Sequence, residues 1–515
     1  MKLIYNIQDK PKFGQLIVFA IQQLLAIMAA TLVVPIIVGN EMSPAAALFG
    51  AGVGTLVYLL FTKFKSPVFL GSSFAFLGSM AAAFAGGVSM SLGYLGLIIG
   101  AVSAGLVYVI IAIIVKLAGV KWISVLMPAV VIGPTVAIIG LSLAGNAIGD
   151  LVSPEYTKYH NAEDCIIVET VYADDENTVV DFVNADGKEV DGTGSYVVLN
   201  EDGTINTNIS VSVNDDGTFT LSEKTGSTYV ALICGLVTLA VVMLASTFGK
   251  KMTKLIPFII GIGAGYAVAA IFTVIGIATG NDSLKMIDFS YFSNLLVDGK
   301  VALSTFVSVP DFTFLTAFKG FGELNAAYIT KIIVAYVPVA FVVFAEHIAD
   351  HKNISSIIEK DLLEEPGLHR TLLGDGVGSM AGAFFGGCPN TTYGESVACV
   401  AITGNASVVT ILAAAVGAII ISFLSPFVAI VDSIPPCVMG GVCMALYGFI
   451  AVSGLKMIQK VNLEENRNLF VVSAILIAGI GGLTVNFGAV TITNIACALI
   501  LGILVNLMLS KKADK

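Results

Sequence analysis

Residues 386–404 read GGCPNTTYGESVACVAITG, and they place one carboxylate, Glu395, in a stretch that is otherwise apolar or small. The eight residues before Glu395 include Pro389, Gly394 and two β-branched threonines, so they predict a short extended segment rather than a helix. After Glu395 the spacing of apolar residues is typical of a helix. An extended segment that feeds a half-helix at membrane depth is tolerated only where it lines a protein-enclosed cavity. The stretch therefore predicts a ligand site at Glu395.

A second acid interrupts the apolar run AAYITKIIVAYVPVAFVVFAEHIADH at residues 326–351. Ionisable groups at membrane depth are costly and are usually functional, so we expect Glu346 to share one site with Glu395. An alternative stays open, because Glu346 lies within a turn of Asp350 and is also compatible with an exposed charge at the helix end. His351, near this helix end, is expected to be a solvated loop histidine.

Composition indicates a multi-pass membrane protein. The chain has 515 residues, 56% of them hydrophobic and 12% charged, with a mean hydropathy of +0.92, which is outside the range of soluble globular proteins. A helix needs ~20 apolar residues to cross the hydrocarbon core of a bilayer. By this criterion the apolar runs predict an all-α fold of fourteen transmembrane spans. These are 14–38, 44–63, 67–86, 92–116, 122–148, 229–249, 254–278, 327–350, 371–388, 389–404, 406–425, 430–453, 467–485 and 488–510.

Spans 3 and 10, at 67–86 and 389–404, are predicted to be discontinuous because each joins an extended piece to a short helix. Most of the 26 lysines and arginines fall on one side if both termini are cytoplasmic, as the positive-inside rule requires. The stretches MPAVVIGPTVAIIG (127–140) and PPCVMGGVCMALYG (435–448) share one proline and two glycines at the same offsets. They fall in spans of opposite direction, which predicts a seven-plus-seven inverted repeat with the ligand at the repeat interface.

Residues 150–227 differ from the rest of the chain. They carry 17 acidic side chains and three lysines, a net charge of −14, which leaves the remainder at +4. Asp-Gly pairs at 186–187, 202–203 and 216–217 separate alternating runs such as SYVVLN and TFTLSE. This pattern predicts a small extracellular β-hairpin insert. Turn chemistry explains most of the aspartates, and no calcium-loop motif is present.

Six of the seven cysteines lie in predicted spans, and only Cys165 lies in the insert. No CxxC motif or His/Cys cluster indicates a metal, and no glycine motif of nucleotide-binding or hydrolytic enzymes appears in a soluble context. We therefore expect no enzymatic activity, no cofactor, no metal and no nucleic-acid partner.

Four motifs, FAEHIAD, EPGLHRTLLGDG, NTTYGES and PPCVMGGVCMALYG, occur in an order and spacing that resemble the uracil-permease branch of the nucleobase-ascorbate transporter family. The resemblance covers roughly residues 11–150 and 228–505. It implies that the substrate is bound by Glu346, Glu395, Phe74, Tyr393, Gly394 and Tyr447. It also implies a core domain of spans 1–4 and 8–11 (14–116 and 327–425), a gate domain of spans 5–7 and 12–14 (122–278 and 430–510) and a possible homodimer. The span assignment itself predicts an extracellular loop at 280–325.

Three positions depart from the usual pattern of that branch. Ser396 stands where uracil permeases typically have Asn, and Gly404 stands where the signature often ends in Arg or Lys. Asp350 stands where the branch often has His and where purine transporters often have Asp. These departures leave the choice open between uracil and a purine such as xanthine or uric acid.

Uracil suits the predicted site chemically. Ionised carboxylates only accept hydrogen bonds, whereas half-helix N-termini donate them through free N–H groups. The ring N–H groups of uracil would meet the two glutamates, and its carbonyl oxygens would meet backbone N–H groups near Phe74 and Gly394. Phe74, Tyr393 and Tyr447 are candidate walls for its flat face, although Tyr447 is also compatible with core packing.

No lysine or arginine lies in the central third of any predicted span, so nothing neutralises Glu346 and Glu395 in an empty site. At least one is expected to bind a proton, with Asp350 taking part. This predicts proton symport of uracil into the cell without a sodium requirement. Two alternatives are an anion carrier of related fold, which the carboxylates disfavour, and an adhesion or sensor protein that acts through the insert.

Overall fold

The structure is a computed structural model. It describes residues 3–154, 156–160, 165–173, 176–183, 195–199, 205–206, 209–213, 219–250, 252–297, 299–487 and 490–510. The three Asp-Gly pairs that were expected to form turns, at 186–187, 202–203 and 216–217, lie outside these residues.

Helices account for most of the described chain. They are α1 (Phe13–Val38), α2 (Pro44–Phe61), α3 (Leu77–Phe84), α4 (Met90–Ala118), α5 (Lys121–Leu126), α6 (Ala129–Ser142), α7 (Ala144–Leu151), α8 (Thr228–Phe248), α9 (Met252–Leu255), α10 (Pro257–Thr279), α11 (Ser290–Ser293), α12 (Thr313–Ala317), α13 (Ala326–Ile358), α14 (Leu368–Gly386), α15 (Gly394–Thr403), α16 (Val408–Ile421), α17 (Ser425–Asp432), α18 (Pro436–Ile458), α19 (Asn466–Ile480) and α20 (Asn494–Ser510). Within the described chain, eight helical segments are long and apolar enough to cross a membrane, and five shorter apolar helices accompany them. The protein is therefore a multi-pass membrane protein.

The strands are short. They are β1 (Leu70–Ser72), β2 (Tyr156–His160), β3 (Ile166–Ala173), β4 (Glu176–Val183), β5 (Ser195–Leu199), β6 (Ile205–Asn206), β7 (Ile209–Val213), β8 (Phe219–Thr225), β9 (Asn390–Thr392), β10 (Val485–Phe487) and β11 (Val490–Ile492). In the acidic insert, β2, β8 and β7 form one antiparallel sheet, and β4, β3, β5 and β6 form another. Ile167, Val198 and Leu221 are buried between them.

Strands β1 and β9 join the two halves of the chain at their centre. They pair antiparallel, with Gly71 opposite Thr391. Two more backbone bonds extend the pairing, from the Ser73 N–H to the Pro389 carbonyl at 2.9 Å and from the Tyr393 N–H to the Phe69 carbonyl at 3.2 Å. Each strand is followed by a half-helix. A 3-10 turn at 74–76 leads from β1 into α3, and α15 follows β9. The pairing satisfies backbone groups that would otherwise be costly at membrane depth.

The helices pack as two groups. Helices α1, α2, α4, α13, α14 and α16 contact one another, and helices α6, α8, α10, α18, α19 and α20 contact one another. Glycines allow the closest approaches. A Cβ atom at Gly54 would lie 2.7 Å from the Gly378 carbonyl oxygen, and one at Gly105 would lie 2.7 Å from the Gly376 carbonyl oxygen. Such small residues let helix backbones approach closely inside a membrane.

Several predicted boundaries differ from the structure. The segment expected as one span at 122–148 is divided into α5, α6 and α7, and α6 begins after Pro128, which has no N–H to continue a helix. The adjoining ends of the last two spans, near 485 and 490, are extended instead of helical, because TVNFGAVTIT is rich in β-branched residues, which favour strands. Helix α13 continues to Ile358, well past the expected end at 350.

The longer α13 also changes how its polar residues are placed. Glu346 precedes the helix end by three turns, so the interpretation as an exposed helix-end charge is wrong. The expectation that His351 is solvated is wrong as well. His351 is completely buried, and the Tyr58 hydroxyl lies 2.7 Å from its Nε2. Its Nδ1 lies 2.8 Å from the His347 carbonyl oxygen.

Candidate functional site

A cavity of about 390 Å³ lies beside the β1–β9 pair, between the two groups of helices. One wall is polar and comes from the two half-helix starts and from α13. The opposite wall is mostly apolar and comes from α6, α10 and α18, with Val136, Phe258 and Phe449 among its residues. The cavity thus combines hydrogen-bonding groups on one side with hydrophobic surface on the other, as small-molecule sites usually do.

Three carboxylates face this cavity. Glu346 and Asp350 lie one turn apart on α13, and Glu395 lies in the first turn of α15. The Thr392 hydroxyl donates a hydrogen bond to Asp350 Oδ2 at 3.0 Å. Gly394 leaves the start of α15 open beside Asp350, since a Cβ atom there would lie 3.7 Å from Asp350 Oδ1. The structure therefore brings together the three acids and the glycine that the sequence singled out.

Phe74 lines the same cavity from the other half-helix. Its ring meets the Tyr447 ring edge-on, with centroids 5.8 Å apart and planes at 85°. Tyr447 is 2% exposed and is not among the residues that line the cavity. In this conformation Tyr447 supports Phe74 from helix α18 instead of facing the cavity.

Tyr393 lines the cavity and also holds the two half-helices together. Its hydroxyl donates to the Ser72 carbonyl at 2.7 Å and accepts from the Thr31 hydroxyl at 3.4 Å. Its ring packs directly on Gly71, at a place where a side chain would overlap it. Tyr393 therefore connects α15, the β1 strand and α1.

Two hydroxyl groups in the cavity were missed by the sequence reasoning. Ser73 and Thr391 both line it, both are buried, and neither hydroxyl has a partner among the described residues. In the sequence, a serine doublet directly precedes one half-helix and a threonine doublet precedes the other by one residue, Tyr393, but such doublets do not by themselves mark a cavity. Buried hydroxyls without partners at a cavity wall are suited to a polar ligand.

Ser396, one of the departures from the uracil-permease pattern, does not line the cavity. It is completely buried, and its hydroxyl accepts from Gln23 Nε2 at 2.5 Å and from the Phe69 N–H at 3.1 Å. Ser396 therefore ties α15 to α1 and to the start of β1. Gln23, the buried partner from α1, was also missed, since nothing in the local pattern of α1 marks it.

Within the described residues, no group of three or more His, Cys, Asp or Glu side chains is placed to hold a metal ion. Among the described residues that line the cavity, Lys254 is the lone basic one.

Comparison with known proteins identifies the family to which this chain belongs. A family model described as "Permease family" matches residues 14–164 and 215–488. The chain belongs to this permease family. The unmatched segment, 165–214, lies within the acidic insert.

Curated relatives span nearly the whole chain. The uracil permease of Bacillus caldolyticus is 35% identical over 99% of this chain and 95% of its own length. The uracil permease of Bacillus subtilis (strain 168) is 32% identical over 100% of this chain and 97% of its own. The uracil permease of Escherichia coli (strain K12) is 31% identical over 97% of this chain and 92% of its own length. These matches confirm the resemblance to the uracil-permease branch.

Solved structures share the fold at low sequence identity. The transmembrane domain of the cyanobacterial bicarbonate transporter BicA is 13% identical, with a TM-score of 0.54, and the match covers 98% of this chain and 99% of that one. The murine Slc26a9 anion transporter in its inward-facing state is 8% identical, with a TM-score of 0.56, and the match covers 98% and 69%. These two structural similarities support the fold and are not evidence about the substrate.

Proposed function

We propose that the protein is a secondary transporter that carries uracil into the cell together with protons. The observation that carries the proposal is the meeting of three carboxylates, two half-helix starts and two partnerless hydroxyls in one cavity. The names of the full-length relatives support uracil as the substrate. Xanthine or uric acid is the second candidate, because Asp350 faces the cavity at a position where purine transporters often have Asp.

Each part of uracil has a complementary group in the cavity. Glu346 and Glu395 would accept hydrogen bonds from the two ring N–H groups. The hydroxyls of Ser73 and Thr391, with the backbone N–H groups at the half-helix starts, would donate to its carbonyl oxygens. The ring of Phe74 and the apolar gate-side wall would cover its flat face.

We infer proton coupling from the three carboxylates that line the cavity. Glu346, Asp350 and Glu395 share one space, and like charges in a small shared site cannot all ionise freely. Lys254, the one basic residue among the described lining residues, is exposed, and a single cation leaves at least part of the charge of three carboxylates uncompensated. We infer that the acids bind at least one proton, and that substrate binding and proton binding are thermodynamically linked.

The proposed architecture has fourteen spans in a seven-plus-seven inverted repeat, with both termini cytoplasmic. The antiparallel β1–β9 pair, which starts two half-helices in opposite directions, supports the repeat. The two groups of mutually packed helices support a core domain and a gate domain. Transport would then move the mostly apolar gate-side wall against the polar core-side wall.

The gate helices also support a possible homodimer. Helices α8 and α10 are the least buried of the eight long apolar segments, with 39% and 28% of their most apolar windows buried. Their outward side chains would face lipid or a second copy of the chain. An anion carrier of related fold is the remaining alternative, and the three carboxylates disfavour it.

The deciding experiment is uptake of radiolabelled uracil by cells that lack their own permeases. We expect uracil to compete and xanthine not to compete, and a protonophore to abolish accumulation while replacement of sodium leaves it unchanged. Uptake of radiolabelled xanthine in the same cells, with no uptake of radiolabelled uracil, would reassign the substrate. Uptake that needs sodium and survives the protonophore would contradict the proposed coupling.

A further inference from the structure

A second and much smaller cavity lies among α4, α13, α14 and the first residue of β9. The space open to the centre of a water molecule in it is about 10 Å³. Its polar lining consists of Tyr108, Asp375, Ser379 and Asn390, and the rest is apolar or glycine. None of these four residues lines the substrate cavity, although Asn390 directly precedes Thr391, which does.

Two polar atoms of this lining have no hydrogen-bond partner among the described residues. They are the Tyr108 hydroxyl and Asn390 Oδ1, and their residues are only 4% and 3% exposed. The other end of the Asn390 amide is occupied, since its Nδ2 donates to the Gly50 carbonyl at 3.2 Å. Buried polar atoms are nearly always satisfied by protein or by ordered water, so these two atoms point to a small polar ligand.

Asp375 adds a third polar group, and its hydrogen bonds are largely defined. The Thr371 hydroxyl donates to the Leu368 carbonyl at 3.1 Å, so it accepts from His347 Nε2, which lies 3.0 Å away. The contact of 2.6 Å between His347 Nδ1 and Asp375 Oδ2 then contains one shared proton. The carboxyl group of Asp375 keeps further acceptor capacity at the cavity.

We propose that this cavity is a binding site for one buried water molecule, which joins Asp375 to Asn390. The water accepts a hydrogen bond from the Tyr108 hydroxyl and donates to Asn390 Oδ1 and to the Asp375 carboxyl group. Three hydrogen bonds are typical of a buried water, and a space of roughly 10–15 Å³ for its centre is sufficient. The water creates a polar link between the Asp375–His347 pair and the strand that carries Thr391, which goes beyond the proposed function.

A water molecule suits this site better than a metal cation. Hard cations take about six or more oxygen ligands, whereas four polar side chains line this cavity and Asp375 is already engaged by His347. Helices α4 and α14 are also held close by Gly105 and Gly376, which leaves no space for a larger hydrated ion.

Radiolytic hydroxyl labelling of the purified full-length protein in ¹⁸O-labelled water tests the proposal, because side chains next to bound water are labelled even when they are buried. We expect Tyr108 to incorporate ¹⁸O severalfold faster than Tyr336. Tyr336 is a matched control, since it is completely buried, its hydroxyl lacks a partner among the described residues, and it lines neither cavity.

A variant adds a test that does not depend on comparing two tyrosines of the wild-type protein. Val343 lines the small cavity, and Val343→Ile adds one methylene group there, so we expect the labelling of Tyr108 to fall to the rate of Tyr336. Equal labelling of the two tyrosines in the wild-type protein would overturn the proposal. Labelling of Tyr108 that changes when sodium is replaced by choline would assign the cavity to a cation and would also overturn it.

Discussion

Substitution of Gly71 by alanine tests whether the crossing of β1 and β9 positions the ligand site. A Cβ atom at Gly71 would overlap the ring of Tyr393, and the ring would have to retreat by about 1 Å to reach ordinary contact. The retreat breaks the 2.7 Å hydrogen bond from the Tyr393 hydroxyl to the Ser72 carbonyl. Because Tyr393 already lines the substrate cavity, the ring is expected to swing into it.

The cost can be estimated from these two effects. Overpacking costs about 1–3 kcal/mol, and a lost hydrogen bond costs about 1 kcal/mol. Since ligand binding would have to push the ring back, most of this energy should appear in the affinity. The total of about 2–4 kcal/mol corresponds to a Kd for uracil that is about 30- to 1,000-fold higher.

Equilibrium binding of radiolabelled uracil to the purified Gly71→Ala protein measures the effect directly. Gly78→Ala is the matched control, because a Cβ atom there meets only Thr493 Cγ2, at 3.8 Å. Tyr393→Phe keeps the ring and removes only the hydroxyl, so it should raise the Kd by about fivefold. A folded Gly71→Ala protein with the affinity of the Gly78→Ala control would refute the reasoning.

Four further outcomes are expected. Glu395→Gln should weaken uracil binding by about 10- to 100-fold in the same assay, because the amide presents a donor where the ring N–H needs an acceptor; unchanged affinity would argue against this contact. Glu346→Gln should keep counterflow exchange of uracil but lose accumulation against a gradient, if Glu346 carries the proton, and accumulation at the wild-type level would exclude that role. Ser396→Ala leaves the donors of Gln23 and Phe69 without an acceptor, so it should cost about 2–6 kcal/mol of stability, seen as a lower melting temperature, whereas Ser396→Thr keeps a hydroxyl and is the conservative comparison. Deletion of residues 153–226 should leave uptake unchanged. Loss of uptake in a well-expressed deletion variant would indicate that the insert takes part in the function.

Much of the membrane-embedded fold could be predicted from the sequence, because the bilayer imposes its constraint locally. Any long apolar run must form a helix there to satisfy its own backbone, so α1, α2, α4, α8 and α10 end within a few residues of the predicted limits. The predicted helix boundaries were wrong where a local preference for extended structure competes with the length of an apolar run. The extended residues at 485–487 and 490–492 sit between two apolar runs that read as continuous spans.

The candidate site was predictable in part, for a related reason. A carboxylate at membrane depth is costly wherever it lies, so Glu346 and Glu395 could be recognised without knowing their neighbours. Ser73 and Thr391 could not be separated from ordinary polar residues, because a hydroxyl gains significance only when its hydrogen-bond partners are absent. The role of Ser396 likewise depends on Gln23, which is 373 residues away in the chain.

The sequence by itself determined that long apolar segments form helices, that the chain is extended at 70–72 and 390–392, and that Glu346 and Glu395 interrupt apolar stretches, since hydropathy, proline and β-branching act over a few neighbouring residues. The tertiary structure alone decided the register that sets Gly71 opposite Thr391, the place of Tyr447 behind Phe74 and the burial of His351 against Tyr58. Each of these depends on contacts between residues far apart in the chain. Such contacts are selected by packing and hydrogen-bond satisfaction across the whole fold, and no local pattern encodes them.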